Sequence, residues 1–410
     1  MSSFEDFSDV SVDIADRPVR LGLAGDLMRR LLSKVQFGSV KIMLPSGALI
    51  ERTGPKPGPE AVIVIRRWSM LGRLLTAGDI GFAEGFIDGE WTTPDLTALI
   101  RFAAQNRDAL APAIAGSLPM RIFNRVRHLL NANTKRGSRR NIEAHYDLGN
   151  EFYKQWLDAS MLYSSGIFDA EASSLEAAQL KKLDRIADRL DLKGGERVLE
   201  IGCGWGALCV HLAKGWDARM SGITLSPSQL AWAKDTVHRS GISESVDLRL
   251  QDYRDTHGQF DRIVSIEMFE AVGEAYWPSY FETLKRCLKP GGRAVLQIIS
   301  IDDTLFETYR RGTDFIQKYI FPGGFLPSDR SLDAPVASAG LKLVATEHFG
   351  QSYAQTLAEW RLNFHARWSA IAALGFDERF RRLWHYYLCY CEAGFEERTI
   401  NVGLYTLEHA

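Results

Sequence analysis

Val198-Leu-Glu-Ile-Gly-Cys-Gly-Trp-Gly206 runs a buried-strand pattern straight into three closely spaced glycines. Arg197 to Ile201 has the short apolar profile of a strand, and Ala207 to Lys214 has the apolar spacing of a helix. Between them, Gly202, Gly204 and Gly206 let the backbone turn tightly and lie close to a ligand with no Cβ in the way. An ordinary strand-to-helix turn shares this pattern, and the stretch is not the full dinucleotide fingerprint. The residues that follow decide its meaning.

Working outward, a second strand is expected from Ala218 to Thr224, ending in Gly222-Ile-Thr-Leu-Ser-Pro-Ser-Gln229. There Ser226 has the chemistry of an N-cap and Pro227 suits the first helical position. A third strand, Val246 to Leu250, ends in Gln251-Asp252-Tyr253-Arg254. A fourth, Phe260 to Ile266, leads into Glu267-Met-Phe-Glu-Ala-Val-Gly273, and a fifth, Arg293 to Ile299, follows the turn Leu288-Lys-Pro-Gly-Gly292. Strands alternating with helices at this spacing predict an α/β fold with a parallel doubly wound sheet. Ligands of such sheets sit at the carboxyl ends of the strands, where these polar residues fall. An acidic residue near the second strand end would favour NAD. Here that place holds Thr224 and Gln229, with Asp252 one strand later, and the arrangement resembles S-adenosylmethionine-dependent methyltransferases.

Five further segments narrow the resemblance. They are Asn141-Ile-Glu-Ala-His-Tyr-Asp-Leu-Gly-Asn150, Met161-Leu-Tyr-Ser-Ser-Gly-Ile-Phe168, Gly202-Cys-Gly-Trp-Gly206, Met268-Phe-Glu-Ala-Val-Gly273 and Phe315-Ile-Gln-Lys-Tyr-Ile-Phe-Pro-Gly-Gly324. In this order they resemble the cyclopropane fatty acid synthases and mycolic acid methyltransferases, from about Asn141 to the end of the chain. The resemblance implies a class I methyltransferase, Rossmann-like sheet with helical lid insertions, preceded by a smaller α+β domain. It implies an enzyme that places a methyl group from S-adenosylmethionine on the cis double bond of an unsaturated acyl chain, usually one esterified in a phospholipid.

The whole chain agrees with this. Its 410 residues suffice for one large and one smaller domain, and a net charge of −2 gives no global pull toward nucleic acid. Cys203, Cys209, Cys287, Cys389 and Cys391 have no metal-ligand spacing and read as reduced, mostly buried thiols, so no metal is expected. The acidic start lacks a signal peptide's basic and apolar regions, and no run of eighteen apolar residues occurs. These features predict a cytoplasmic protein that visits the inner face of the membrane peripherally. Residues 1–108 read as an α+β, lipid-associated domain, with strands in 39–44 and 61–66 separated by the turn-rich Gly54-Pro-Lys-Pro-Gly-Pro59. Helical spacing follows from Met70 to Leu75 and from Leu96 to Phe102. Residues 109–142 read as a basic linker carrying Arg121, Arg125, Arg127, Lys135, Arg136, Arg139 and Arg140 and no acidic residue. Within it Ile122, Val126, Leu129 and Leu130 share one helical face, which suits either anionic headgroups or packing on the core. Residues 143–410 form the methyltransferase domain, with an acyl-binding lid over about 305–395. A homodimer through the first domain is implied by the resemblance alone.

For the cofactor, Gly202 and Gly204 are expected at the methionine portion, with Tyr163, Ser164 and Ile266 around it by resemblance. Thr224 and Gln229 are expected at the ribose, and Asp252 and Tyr253 at the adenine. For Thr224 and Ser226 the alternative is helix capping, and for Asp252 an ordinary turn. The acceptor needs a different environment: an alkene is a weak nucleophile, so attack needs alignment in a dry slot. Aromatic faces stabilise the cation that follows. The ring-rich segment after Asp314 supplies them, Tyr319 and Tyr353 first.

The last step needs a base. By resemblance, cyclopropane synthases hold a bicarbonate ion there, bound by a Cys, a Glu, a His, a main-chain group and a Tyr. This chain keeps Glu270, Tyr353 and the Ile299 main chain, but has Ser165 and Gln297 at the Cys and His positions. Both can still donate to an anion, while the imidazole that could carry a proton is gone. Glu267 adds a second carboxylate that can act as base or repel an anion. These changes favour a methylated unsaturated chain (a furan or branched fatty acid precursor) as product. A true cyclopropane synthase, a small-molecule methyltransferase and a non-catalytic lipid-binding protein stay open as alternatives.

Overall fold

The computed structural model describes residues 22–114, 116–120, 124–125, 133–135, 137–138, 141 and 148–410. The expected amphipathic stripe of Ile122, Val126, Leu129 and Leu130, with Arg121, Arg127, Arg136, Arg139 and Arg140, lies outside the described residues. Two compact units result, and they are not contiguous in sequence. One is Met1–Asn124 with Phe376–Glu397, the other Arg125–Gly375 with Arg398–Ala410.

In the first unit a four-stranded sheet has the order β2-β1-β3-β4, from Phe37–Met43 (β1), Leu49–Thr53 (β2), Lys56–Ile65 (β3) and Trp91–Thr92 (β4). β1 runs antiparallel to β2 and parallel to β3. The Gly54–Pro59 stretch, expected as a turn, is instead largely the start of β3. Proline is tolerated there because β4 pairs β3 only at Val64 and Ile65, leaving one side of Lys56–Glu60 without a ladder partner in this sheet. Gly38 makes the close approach possible: at φ +66 a Cβ would lie 2.1 Å from the Pro59 carbonyl oxygen. The helix expected over Met70–Leu75 extends over Ser69–Ile87, kinked at Gly78.

The helix Glu378–Glu396 also belongs to this unit, although its sequence reads as part of the lid. Arg382 donates to the Phe86 carbonyl at 3.0 Å, Tyr386 packs on Phe86, and Arg101 pairs with Glu397 at 2.7 Å. Its aromatic spacing specifies an apolar face but not the partner that covers it.

The second unit is built on seven strands. They are Arg197–Ile201 (β5), Arg219–Thr224 (β6), Val246–Leu250 (β7), Phe260–Ile266 (β8), Leu288–Ile301 (β9), Leu341–His348 (β10) and Ile400–His409 (β11). Their order is β10-β11-β9-β8-β5-β6-β7, with β11 alone antiparallel to its neighbours. β9 begins earlier than expected, since Leu288 already pairs with Phe260 before a register shift. Two apolar clusters sandwich the sheet, one including Tyr280, Phe281 and Leu296, the other Ile186, Leu212 and Val264. Strand order reverses between β5 and β8, the switch point at which a ligand crevice opens beyond the carboxyl ends.

Candidate active site

At the end of β5 the main chain turns through Gly202 (φ +86) and Gly204 (φ +51), a conformation in which L side chains are strained. Gly202 and Cys203 both donate to the Ile223 carbonyl at 2.9 Å, which fixes the turn to β6. A Cβ on Gly204 would meet nothing within 4 Å, so the turn faces open space. Beyond β6, Ser226 caps the helix Pro227–Arg239 by accepting from Gln229 N, as its sequence predicts. Thr224 Oγ1 donates to Gln229 Oε1 at 3.2 Å, leaving Gln229 Nε2 available to an incoming hydroxyl. Asp252 is less available: Arg254 engages both of its oxygens, with Nε at 2.8 Å and Nη2 at 2.6 Å. Burial pushes the Asp252 carboxyl up, and Arg254 more than reverses this, holding it below the usual range. Tyr253 is buried edge-on to Tyr280. A nucleoside with a cationic tail fits an open glycine turn, a free amide donor and a buried ring placed at successive strand ends.

Across the switch point stands a second group of residues. β8 ends at Ile266, which pairs in register with Gln297 of β9, so the next residue, Glu267, lies against Gln297. Glu267 N–H donates to the Gln297 carbonyl at 2.8 Å, and Gln297 Nε2 donates back to Glu267 Oε1 at 2.7 Å. The same Oε1 accepts from Ser165 N at 2.9 Å, and Oε2 accepts from Tyr353 OH at 2.7 Å. The Ser165 hydroxyl, expected to face an anion, instead donates to the Gly166 carbonyl at 2.8 Å. Glu270 is held differently. Its Oε1 accepts from Ile299 N at 2.5 Å, while Oε2 is buried without a partner.

Burial dominates the electrostatics. It raises the Glu267 carboxyl, opposed in turn by Tyr353, Ser165, Lys182 and Gln297. Burial, reinforced by the Glu267 charge, pushes Glu270 up to about 8. Two adjacent carboxylates in a dry site cannot both ionise at neutral pH, and the better-solvated one takes the charge. Three donors against one assign the charge to Glu267 and the proton to Glu270.

Sequence reasoning missed Lys182, which lies fully buried in the helix Leu175–Leu190 and donates to Ser164 Oγ at 2.6 Å. Desolvation lowers it to about 8, while Glu267, Asp158 and Glu200 favour its charge. Its signal was present: 182 falls on the same apolar face as Ala178 and Ile186, where a lysine needs a reason.

Rings close the remaining side. Tyr163 lies 5.4 Å from Tyr153, 5.5 Å from Trp156, 5.4 Å from Trp360 and 6.5 Å from Phe321 between centroids. Trp360 also meets Tyr353 edge-on at 6.1 Å, which links this cage to Glu267. Tyr319 packs on Phe315 at 5.5 Å with Lys318 over its ring, and is not among the donors to Glu267. Among the described residues no group of His, Cys, Asp and Glu could hold a metal ion. No helix of the described residues is long and apolar enough to cross a membrane. The arrangement can align an apolar acceptor against rings and remove a proton from it.

Comparison with known proteins identifies relatives over most of the chain. The family model "Mycolic acid cyclopropane synthetase" matches residues 133–404. A tuberculostearic acid methyltransferase of Mycobacterium tuberculosis is 38% identical over 359 residues, covering 86% of this chain and 84% of that protein. The cyclopropane-fatty-acyl-phospholipid synthase of Escherichia coli K12 is 36% identical over 334 residues, covering 80% and 83%. The crystal structure of a mycolic acid cyclopropane synthase complexed with SAH and CTAB matches with a TM-score of 0.62 at 29% identity. It covers 66% of this chain and 97% of that one.

Proposed function

The chain belongs to the mycolic acid cyclopropane synthetase family, and from that premise we propose that it is an S-adenosylmethionine-dependent C-methyltransferase acting on cis double bonds in the acyl chains of phospholipids. S-adenosylmethionine, when bound, supplies an electrophilic methyl group on a sulfonium. Gly202, Gly204, Thr224, Gln229, Asp252 and Tyr253 hold that cofactor, with Tyr163, Ser164 and Ile266 at its reactive end. Trp360, Tyr163 and Tyr353 exclude water from the alkene, and their faces stabilise the cation left on the chain by about 2 kcal/mol or more when desolvated. Tyr319 and the segment around it cover the acyl chain. Residues 1–108 assist at a peripheral membrane surface, and a homodimer is part of the same reading.

The observation that carries this reading is the ring cage joined through Tyr353 to the buried Glu267 carboxylate at the switch point. Such a cage can also hold an ammonium group, and the relatedness to a cyclopropane-fatty-acyl-phospholipid synthase favours the alkene. The product we favour is a methylated unsaturated chain, formed when the proton leaves a chain carbon. Ring closure by loss from the new methyl is the second reading, favoured by the relatedness to a cyclopropane-fatty-acyl-phospholipid synthase. Incubation with cis-unsaturated phospholipid vesicles and deuteriomethyl cofactor, followed by mass spectrometry of the lipids, separates these. Retention of all three deuteriums means a methylated olefin, two mean a ring or methylene group, and none in lipid overturns the proposal.

A further inference from the structure

We infer that Glu267 is a resident general base standing where the family resemblance implies an exchangeable bicarbonate ion, so that proton removal in this protein needs no added anion. The inference rests on the C-methylation reading above.

The donors expected around a bicarbonate are a residue at 165, the residue at 297, Tyr353 OH and the Ile299 main chain. In this structure each is already engaged by a carboxylate of the chain itself. Glu267 takes Ser165 N, Gln297 Nε2 and Tyr353 OH, and Glu270 takes Ile299 N. A carboxylate presents the same planar pair of oxygens as bicarbonate, so the donor set is satisfied rather than waiting. A bicarbonate would have to displace Glu267 and would add negative charge beside both acids, while the four donors named are already engaged. The residues present therefore do not fit that ion.

The placement of Glu267 is specific. Gln297 clamps it at both ends, through the main chain at 2.8 Å and the side chain at 2.7 Å. Its φ of +47 is a left-handed conformation that a non-glycine residue rarely adopts. Gln297 complements the carboxylate through its side-chain amide and Ser165 through its main chain, and neither adds a second proton carrier. Behind them, the Lys182 ammonium on Ser164 supplies buried positive charge.

The step balances without a co-reactant. After methyl transfer, a C–H bond on a carbon adjoining the cationic centre breaks. Its electron pair forms the new carbon–carbon bond and quenches the cation. The proton moves to the Glu267 carboxylate, which becomes a neutral acid.

The test uses the full chain in carbonate-free buffer under argon, with bicarbonate titrated back, and reads labelled methyl in cis-unsaturated phospholipid vesicles. Wild-type rate is expected to be indifferent to bicarbonate. Glu267→Gly, which accepts a positive φ, should lose about 10²–10⁴-fold in rate and recover with bicarbonate or formate. Glu267→Gln should lose as much and not recover. Independently of turnover, the 13C signal of labelled bicarbonate should broaden with Glu267→Gly and not with wild type. Sinefungin binding by calorimetry verifies that each variant is folded; if Glu267→Gly fails there, the two wild-type arms decide. A wild-type rate that rises with bicarbonate, wild-type broadening of the 13C signal, or a Glu267→Gln variant at full rate overturns the inference. Absence of lipid methylation by wild type in both buffers sinks the C-methylation reading instead, and the 13C arm still reports on the anion.

Discussion

The two sides of the switch point are built on opposite plans. The glycine-turn side is local: Gly202 to Gly206 is one turn, and Thr224, Ser226 and Gln229 satisfy one another within six positions. The carboxylate side is assembled over distance, with Tyr353 reaching Glu267 across 86 positions and Ser165 across 102. One side faces open space at Gly204; the other is closed over buried carboxylates. The contrast teaches a division of labour. A turn that any chain can make with three glycines suits a common cofactor. A constellation that only one tertiary arrangement can bring together suits a particular acceptor.

Four experiments test that division. The largest effect is expected from Glu267→Gln, which should cost about 10²–10⁴-fold in turnover while sinefungin affinity, measured by calorimetry, stays unchanged. A matching loss of affinity would break the separation. Gly204→Val should do the reverse, weakening sinefungin by about 10–100-fold through strain of about 1–3 kcal/mol at φ +51. Normal binding by that variant would mean the turn is not the cofactor contact. In the double variant Ser165→Cys with Gln297→His, the deuterium count of the lipid product should move from three toward two. An unchanged count would detach these positions from product choice.

The smallest effect concerns stability. Burial holds the Glu270 carboxyl up at about 8 in the folded protein, against 4.5 for a free glutamate, so the folded state holds a proton that the unfolded state has released between those values. Its contribution is fully present below about pH 4.5 and is lost as pH rises through about 8. Glu270→Gln should therefore flatten the fall in Tm over that window and leave the variant the more stable of the two at the alkaline end. A difference of about 2–4 °C corresponds to 1 kcal/mol. Equal slopes in a thermal melt series would contradict the burial argument.

Legibility follows the same line. β7 and β8 fall where periodicity puts them, and the Ser226 cap with Pro227 is in place, because these depend on neighbours in sequence. Glu270 and Tyr353 were identifiable only through family resemblance. The carboxylate's use of Ser165 main chain rather than its hydroxyl was not readable, since it depends on how Glu267 arrives from 102 positions away. Lys182 was legible only from its place on the apolar face with Ala178 and Ile186, since its charge alone points to the surface. The partner of the helix Glu378–Glu396 was hidden because an apolar stripe does not say what it packs on.

The antiparallel β11 carries a consequence for biogenesis. The chain leaves the second unit after Gly375, contributes a helix to the first, and returns as a strand lodged between β9 and β10. Until Ile400–His409 has emerged from the ribosome, the seven-stranded sheet lacks an interior member and β9 presents a raw edge to its surroundings. The first unit likewise waits for Glu378–Glu396. Neither unit can mature ahead of the other during translation, so a nascent chain stalled before residue 400 is a substrate for chaperones and proteases rather than a half-finished enzyme.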